Sequence, residues 1–456
     1  MLALVGLLGI VLFIVLLARN KTIMPAAFVI VILLIPLCLG IPLNEISGYI
    51  TDGIASTATL GIMAAFAILF FTLMNKLGVF DTIVGGITRR IGSHIYPVLL
   101  ATMLVSICSH LDGQAPSTIL VTIPALYPFY KKLRIRPVVL TFILSAVVGI
   151  WSFLPWGSVT LTNSVVMGLD VLDIWQELLP VLLCMTGILS LVLLGTAYTE
   201  KKRIAAGLND KTAYGSMFQS SGEELPARAR RLLPFNTVLT VAVLILLFLN
   251  VVNTAVVFMA GYTVAVLVNY RTIKEQMAHF SEHASTALMI CLAMVLGGVF
   301  GNVLNDSGVL NAMITALVSV FPQSWSRYLL TIFGTLSYPL GCFLGLTAYS
   351  FGVTPVINGV AANFGFSALQ SVCALAPGYS MSIMACPIMP STHLMLGAAG
   401  IGALGVCALI VAMFALSRLA PADARAGIPG RHHSAGERAA LTWRRVSCRL
   451  SGRYHL

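Results

Sequence analysis

Asn75-Lys-Leu-Gly78-Val-Phe80 returns 230 residues later as Asn305-Asp-Ser-Gly308-Val-Leu310. A self-match of this kind comes before any assignment of elements, because a repeat imposes one architecture twice. Two further correspondences keep the same order. The polar break His110-Leu-Asp112-Gly113-Gln114, inside the apolar stretch 94–130, has its counterpart near Thr347 in Leu346-Thr-Ala-Tyr-Ser350, inside 327–362. Pro155-Trp-Gly-Ser-Val-Thr160 corresponds to Pro387-Ile-Met-Pro-Ser-Thr392 at an offset of 232. Each match is weak alone; the shared order and near-constant spacing carry the reading.

Composition fixes the medium in which the repeat folds. The chain has 456 residues, of which 58% are hydrophobic and 9% charged, and a mean hydropathy of +0.95. A soluble domain carries about 25% charged residues, so this chain belongs in a bilayer. Spans of roughly 20 apolar residues are expected near 2–18, 23–41, 57–75, 138–155, 174–197, 235–252, 254–270, 285–304, 368–386 and 396–417. The net charge of +11 is no nucleic-acid signal, since the Lys and Arg residues lie between apolar blocks or in the last forty residues, where they encode topology. Nine scattered cysteines, with no C-x-x-C and no His/Cys pairing at ligand spacing, predict neither disulfides nor a metal site. The apolar N-terminus runs into Arg19 and Lys21 without an A-x-A-like cleavage site, and is expected to be a first span.

Positive charge orients the map. Arg19/Lys21, the amphipathic connector 76–93, the cluster Lys131, Lys132, Arg134, Arg136 and the loop 199–232 are expected to be cytoplasmic. Glu45 and Asp52, then Asp170, Asp173 and Glu177, are expected outside. The stretch 94–130 therefore begins and ends on one side and is expected to be a re-entrant hairpin. Each unit then has five full crossings, and an odd number inverts the second unit. The predicted fold is an all-α polytopic membrane protein, an inverted-repeat secondary transporter with about ten full spans plus two re-entrant hairpins with broken helices. The predicted divisions are a first repeat 1–198 with hairpin 94–130, a cytoplasmic linker 199–232, a second repeat 233–417 with hairpin 327–362, and a disordered Arg-rich tail 418–456.

The candidate site residues lie at the breaks. Asp112 is the only acid inside an apolar hairpin, and a charge at the bilayer centre costs about 2.5 kcal/mol or more. It suits proton coupling or cation coordination; the alternative is a structural acid bonding the hairpin tip. His110 is either a proton-relay partner or a polar plug at the helix end. Gln114, Ser117 and Thr118 begin the second arm, where exposed N–H groups attract anions. Gly157 breaks the helix after Pro155, and Ser158, Thr160, Thr162 and Asn163 then supply polar groups. Ser391, Thr392 and His393 follow the matching break, His393 being readable also as an interior histidine; Thr347, Tyr349 and Ser350 mark the second hairpin. No Arg or Lys lies in these segments, and nothing resembles a P-loop, a catalytic triad or an H-E-x-x-H helix.

At these residues a family resemblance appears. HLDGQAPSTILVTIPALYPFYKKLRIRP (110–137), LPWGSVTLTNSVVMGLD (154–170), LTAYSFGVTPVINGVAANFG (346–365) and CPIMPSTHLMLGAAGI (386–401) resemble the CitMHS citrate transporter family, of the ion transporter superfamily. The resemblance covers roughly 1–417. It implies proton-coupled symport of citrate complexed with a divalent metal in a bacterial inner (cytoplasmic) membrane. The chain departs from the family pattern at Gln114, Thr162, Leu346-Thr347, Ser380 and Ile383, which removes two acids and one arginine.

The sequence thus predicts a proton-coupled symporter for citrate or a related organic acid, with Asp112 as coupling group assisted by His110, and no enzyme. The runner-up is a carrier for another small organic solute; a membrane-embedded enzyme would need a nucleophile that is not in evidence. No resident cofactor and no bound metal are expected, a divalent cation being cargo. The expected partners are a small organic anion, protons and the lipid bilayer, with no nucleic acid and a homodimer left open.

Overall fold

The computed structural model describes residues 1–18, 22–89, 94–209, 227–249, 252–321, 328–386 and 389–399. The expected tail 418–456, most of the span 396–417 and Pro387 lie outside them. Among the described residues every regular element is helical and no strand is present.

The first half comprises α1 (Leu2–Ala18), α2 (Met24–Cys38), α3 (Leu43–Lys76), α4 (Val79–Thr88), α5 (Ile95–Ser109), α6 (Ala115–Lys132), α7 (Pro137–Trp151), α8 (Ser158–Met167) and α9 (Val171–Ala205). The second comprises α10 (Ala227–Leu249), α11 (Thr254–Asn269), α12 (Ile273–Asp306), α13 (Val309–Val320), α14 (Leu329–Ala348), α15 (Thr354–Asn363), α16 (Ala368–Ser382) and α17 (Pro390–Ala399). Six helical segments among them are long and apolar enough to cross a membrane. Large apolar side chains stay exposed along α1, α2, α9, α10 and α11, among them Leu4, Leu34, Leu191, Val238 and Leu267. In water such a belt would mark an aggregation surface; against lipid it is the solvent-matched face.

The sequence repeat is a structural one. Helices α3 and α12 each have 34 residues. Each hands over to the next helix through a left-handed glycine, Gly78 (φ 77°) and Gly308 (φ 73°), a conformation that L side chains rarely adopt. The equivalent helices α3 and α12 pack against each other in opposite directions. A Cβ added to Gly53 would meet Val299, one added to Gly61 would meet Val295 and Cys291, and Lys76 reaches Glu282. As numbering rises along α3 it falls along α12, so the second copy is upside down relative to the first. Glycines at this seam allow the close approach that drives helix association in lipid.

Two pairs of equivalent positions touch. Gly61 and Cys291 differ by the repeat offset of 230, and a Cβ on Gly61 would lie 3.1 Å from the Cys291 carbonyl oxygen. Gly149 in α7 and Ser380 in α16 occupy equivalent places, and the Ser380 hydroxyl donates to the Gly149 carbonyl. These two self-contacts locate the pseudo-two-fold axis relating the halves.

Helices α5 and α6 form the first hairpin. Thr102 meets the Tyr130 hydroxyl at 3.0 Å near its base, and His110 meets Thr118 at 2.9 Å near its tip, so the arms are antiparallel and both ends lie on one side. A 3-10 turn, His110–Asp112, and left-handed Gly113 (φ 71°) reverse the chain. In the second hairpin α14 kinks at Gly345 (φ 75°, ψ 165°) and passes through a π-helical turn, Tyr349–Val353, into α15. Leu329 and Leu330 at its start share an apolar cluster with Val360 and Ala361 at its end.

Helix boundaries differ from those expected in four places. Glu45 and Asp52 lie within α3, not in a loop before a span at 57–75. Helix α9 continues to Ala205 and α10 begins at Ala227, so only part of 199–232 connects them. Helix α12 starts at Ile273 rather than near 285, its first turn fixed by a capping box between Thr272 and Glu275. Backbone N–H groups of Thr272 and Arg271 hold the exposed Glu275 carboxyl below its ordinary range. The cause is common to all four: hydropathy marks where the bilayer is, whereas a helix continues into water as long as caps and propensity allow.

Candidate functional site

The site is assembled from the breaks. At the first hairpin tip Asp112 is 3% exposed. Its Oδ1 accepts the Gln114 backbone N–H at 2.8 Å, and its Oδ2 accepts the Ser117 hydroxyl. Among the described residues no Lys or Arg is paired with it; the Lys76–Glu282 and Arg136–Glu200 ion pairs involve other acids. His110 is equally buried but does not bond Asp112. Its Nδ1 lies 2.9 Å from Thr118 Oγ1 and its Nε2 3.5 Å from Ser152 Oγ.

The break between α7 and α8 closes over this tip. Trp156 Nε1 donates to the Leu111 carbonyl at 2.7 Å, and its ring stacks on Phe71 of α3 with centroids 5.3 Å apart. Gly157 is sterically required, since a Cβ there would come within 2.3 Å of the Ser152 carbonyl oxygen. Beyond it Thr160 donates to the Phe153 carbonyl at 2.9 Å, Thr162 to Ser158 at 2.7 Å and Asn163 to Val159 at 2.7 Å. Ser158 opens α8 and is half-buried.

A second polar group gathers around Tyr379 of α16. Asn163 Nδ2 donates to its hydroxyl. Tyr349 packs against it with ring centroids 4.9 Å apart and bonds Ser337 at 2.8 Å through its own hydroxyl. Thr347 is half-buried just past the Gly345 kink. Ser391 is half-buried and Thr392 buried in the first turns of α17. The side chain of His393 lies outside the described residues.

The buried polar atoms without a hydrogen-bond partner among the described residues include Ser109 Oγ, Asn163 Oδ1, Ser350 Oγ and Thr392 Oγ1. Ser109 and Ser350 lie in the two hairpins, Asn163 and Thr392 at the two breaks. Buried polar groups are nearly always satisfied, so such a set, distributed over the paired irregular segments, is what a polar ligand would complete.

The sequence profile described as CitMHS, Citrate transporter, matches residues 10–376. The chain belongs to the CitMHS citrate transporter family. Its CitMHS relatives include the Citrate transporter of Bacillus subtilis (strain 168), 29% identical over 401 residues that cover 88% of this chain and 92% of that one. The Mg(2+)/citrate complex secondary transporter of the same organism is 27% identical over 405 residues, with the same two coverages. Among solved structures the fold resembles the crystal structure of the Alcanivorax borkumensis YdaH transporter, at a TM-score of 0.57 and 16% identity over 83% of this chain and 86% of that one. This CitMHS protein is therefore a multi-pass membrane transporter and not an enzyme.

Reading the sequence missed Tyr379, Ser152 and Ser337. Tyr379 follows Pro377-Gly378 in α16, and only its packing against α8 and the π-helical turn reveals its neighbours.

Proposed function

We propose that the chain is a secondary transporter carrying citrate or a related organic acid by alternating access, coupled to protons through Asp112. The observation that supports this most is the presence of unpartnered buried polar atoms in the broken segments, together with a buried carboxylate without a cation partner. Broken helices meeting near the midplane are where inverted-repeat transporters bind substrate. An uncompensated carboxylate at that depth costs about 2.5 kcal/mol or more, which a proton or a co-bound cation relieves. The hydroxyls and amides of Ser117, Thr118, Asn163, Ser350 and Thr392 offer directional contacts to carboxylate and hydroxyl oxygens. With no Lys or Arg in these segments, part of the charge of a tricarboxylate falls to helix N-termini and to a divalent cation carried as cargo.

The named relatives, a citrate and a Mg(2+)/citrate transporter, support the substrate class. The halves 1–198 and 233–417, the cytoplasmic face at Lys131–Arg136 and a bacterial cytoplasmic membrane complete the reading. The test is uptake of labelled citrate, with and without Mg²⁺ and against a panel of di- and tricarboxylates, in cells expressing the chain. Uptake of one of these carboxylates is expected; uptake of none would overturn the substrate class.

A further inference from the structure

Helix α12 carries a second constellation, far along the chain from the hairpin tips and outside the proposed transport site. His279-Phe-Ser-Glu282-His283 places two imidazoles at i and i+4 and a carboxylate at i+3, on one face of a helix. One donor atom from each lies within 4.8 Å of the others. His279 is 1% exposed, stacked on Tyr270 with centroids 5.7 Å apart and flanked by Tyr262. Neither of its ring nitrogens forms a hydrogen bond among the described residues, and His283 Nε2 is likewise buried without one. The Glu282 carboxylate is divided: Oε2 takes Lys76, and Oε1 stands 3.9 Å from His283 Nε2.

We propose that His279, Glu282 and His283 form a binding site for a first-row divalent metal ion of the Zn²⁺ class. Two imidazoles and a carboxylate are the donor set that Zn²⁺ accepts, with a fourth position left to water; the hard ion Mg²⁺ prefers oxygen donors. Metal–ligand bonds of about 2.0–2.2 Å require the donors to close by roughly an ångström. The side chains of Glu282 (51% exposed) and His283 (23%) can rotate to do so. The buried imidazole is already held by its aromatic neighbours. Its unbonded nitrogens, unfavourable when left buried and unsatisfied, gain the ion as partner. Lys76 opposes the ion, because its ammonium sits on the same carboxylate. The site therefore has a built-in competitor on α3, and metal binding would exchange an α3–α12 ion pair for a chelate within α12.

The full chain, purified without a histidine tag and stripped with chelator, is titrated with ZnCl₂ by calorimetry, and bound metal is counted. His432, His433, Cys448 and His455 of the C-terminal segment contribute equally to every variant and subtract out. Wild type should hold one ion more per chain than Glu282→Gln and His283→Gln. Both positions are part-exposed, so these variants should fold. Loss of a supporting partner alone weakens metal sites by about 10–100-fold, so loss of a ligand should cost about a hundredfold or more. Lys76→Ala should bind about tenfold tighter, since one charge about 5 Å from a dication in a water-like dielectric is worth roughly a power of ten. Equal stoichiometry and affinity across wild type, Glu282→Gln and His283→Gln would overturn the site, as would weaker or unchanged binding in Lys76→Ala. These readouts do not involve transport and stand whether or not citrate is the substrate.

Discussion

Replacing Asp112 by Asn separates coupling from architecture, because the substitution keeps the shape of the hairpin tip while removing its charge. Asn Oδ1 can still accept the Gln114 N–H now held at 2.8 Å, and the Ser117 hydroxyl, now a donor to Oδ2, can turn round to accept from the new amide. Hydrogen bonds to a charged acceptor contribute about 1.5–3 kcal/mol and neutral ones about 0.5–1.5, so the tip loses about 1–2 kcal/mol per bond and stays folded. In proteoliposomes with the voltage clamped at zero, a pH difference of one unit is worth about 1.4 kcal/mol per proton, or tenfold in concentration. With one proton per cycle the wild type should accumulate labelled citrate about tenfold. Asp112→Asn should bring that ratio to about one, while exchange of internal for external citrate, which needs no net proton movement, stays within about threefold of wild type. An accumulation ratio unchanged by the substitution would refute the coupling role. Loss of exchange together with accumulation, in protein that still runs as a single species, would make Asp112 a binding group instead.

Other positions test the fold and the site separately. Glu200 is fully buried beneath Arg136, whose Nε lies 2.8 Å from Oε1; Arg136→Met should cost about 3–5 kcal/mol by stranding a buried charge, read as lost folded yield, and Glu200→Leu should restore it in the double variant. A single variant with wild-type yield and melting behaviour would contradict that assignment. Tyr379→Phe removes the hydroxyl to which Asn163 donates and should raise KM up to about tenfold with kcat little changed, the value of one hydrogen bond; an unaltered KM would place Asn163 and Tyr379 outside the substrate's reach. The Glu275 cap has the ordinary carboxylate sign: its carboxyl titrates below the unfolded value, so its contribution is complete at neutral pH and fades as pH falls through that lowered range. Amide exchange in the first turn of α12 should quicken with acid, and Thr272→Ala should flatten that dependence; acid-independent exchange in the wild type would argue against the cap.

Much of the architecture was legible because a few residues report directly on backbone geometry. Gly78 and Gly308 both adopt the left-handed conformation, so their recurrence at a fixed spacing marked a structural repeat in the sequence. The hairpin was visible because Asp112 and Gly113 interrupt an apolar run too long for one span and too polar at its centre for a buried helix. What the sequence concealed lies where helices leave the bilayer or meet sideways. The charged start of α3 and the end of α9 look like loops, yet Glu200 is drawn inward by Arg136, 64 residues away. Tyr379 carries no local signal, because its part in the site is decided by neighbours on α8 and on the π-helical turn after α14. Asn163, Ser350 and Thr392 were legible as polar residues at breaks, but not as atoms lacking partners. His279 and His283 fall between the expected spans 254–270 and 285–304, on helical turns that only the structure places there.

The axis marked by the Gly61–Cys291 and Gly149–Ser380 contacts has a geometric consequence. If each half were threaded onto the backbone of the other, the chain would describe a second conformer, with the Gly345 kink and the Gly113 turn trading places about that axis. Under the proposed alternating-access reading, these two conformers are the end states of the cycle. The swap exchanges backbones but not side chains, and Asp112 has no acidic twin near Thr347. The two end states would therefore differ in energy, and the position of that one carboxyl would decide which of them the empty protein occupies.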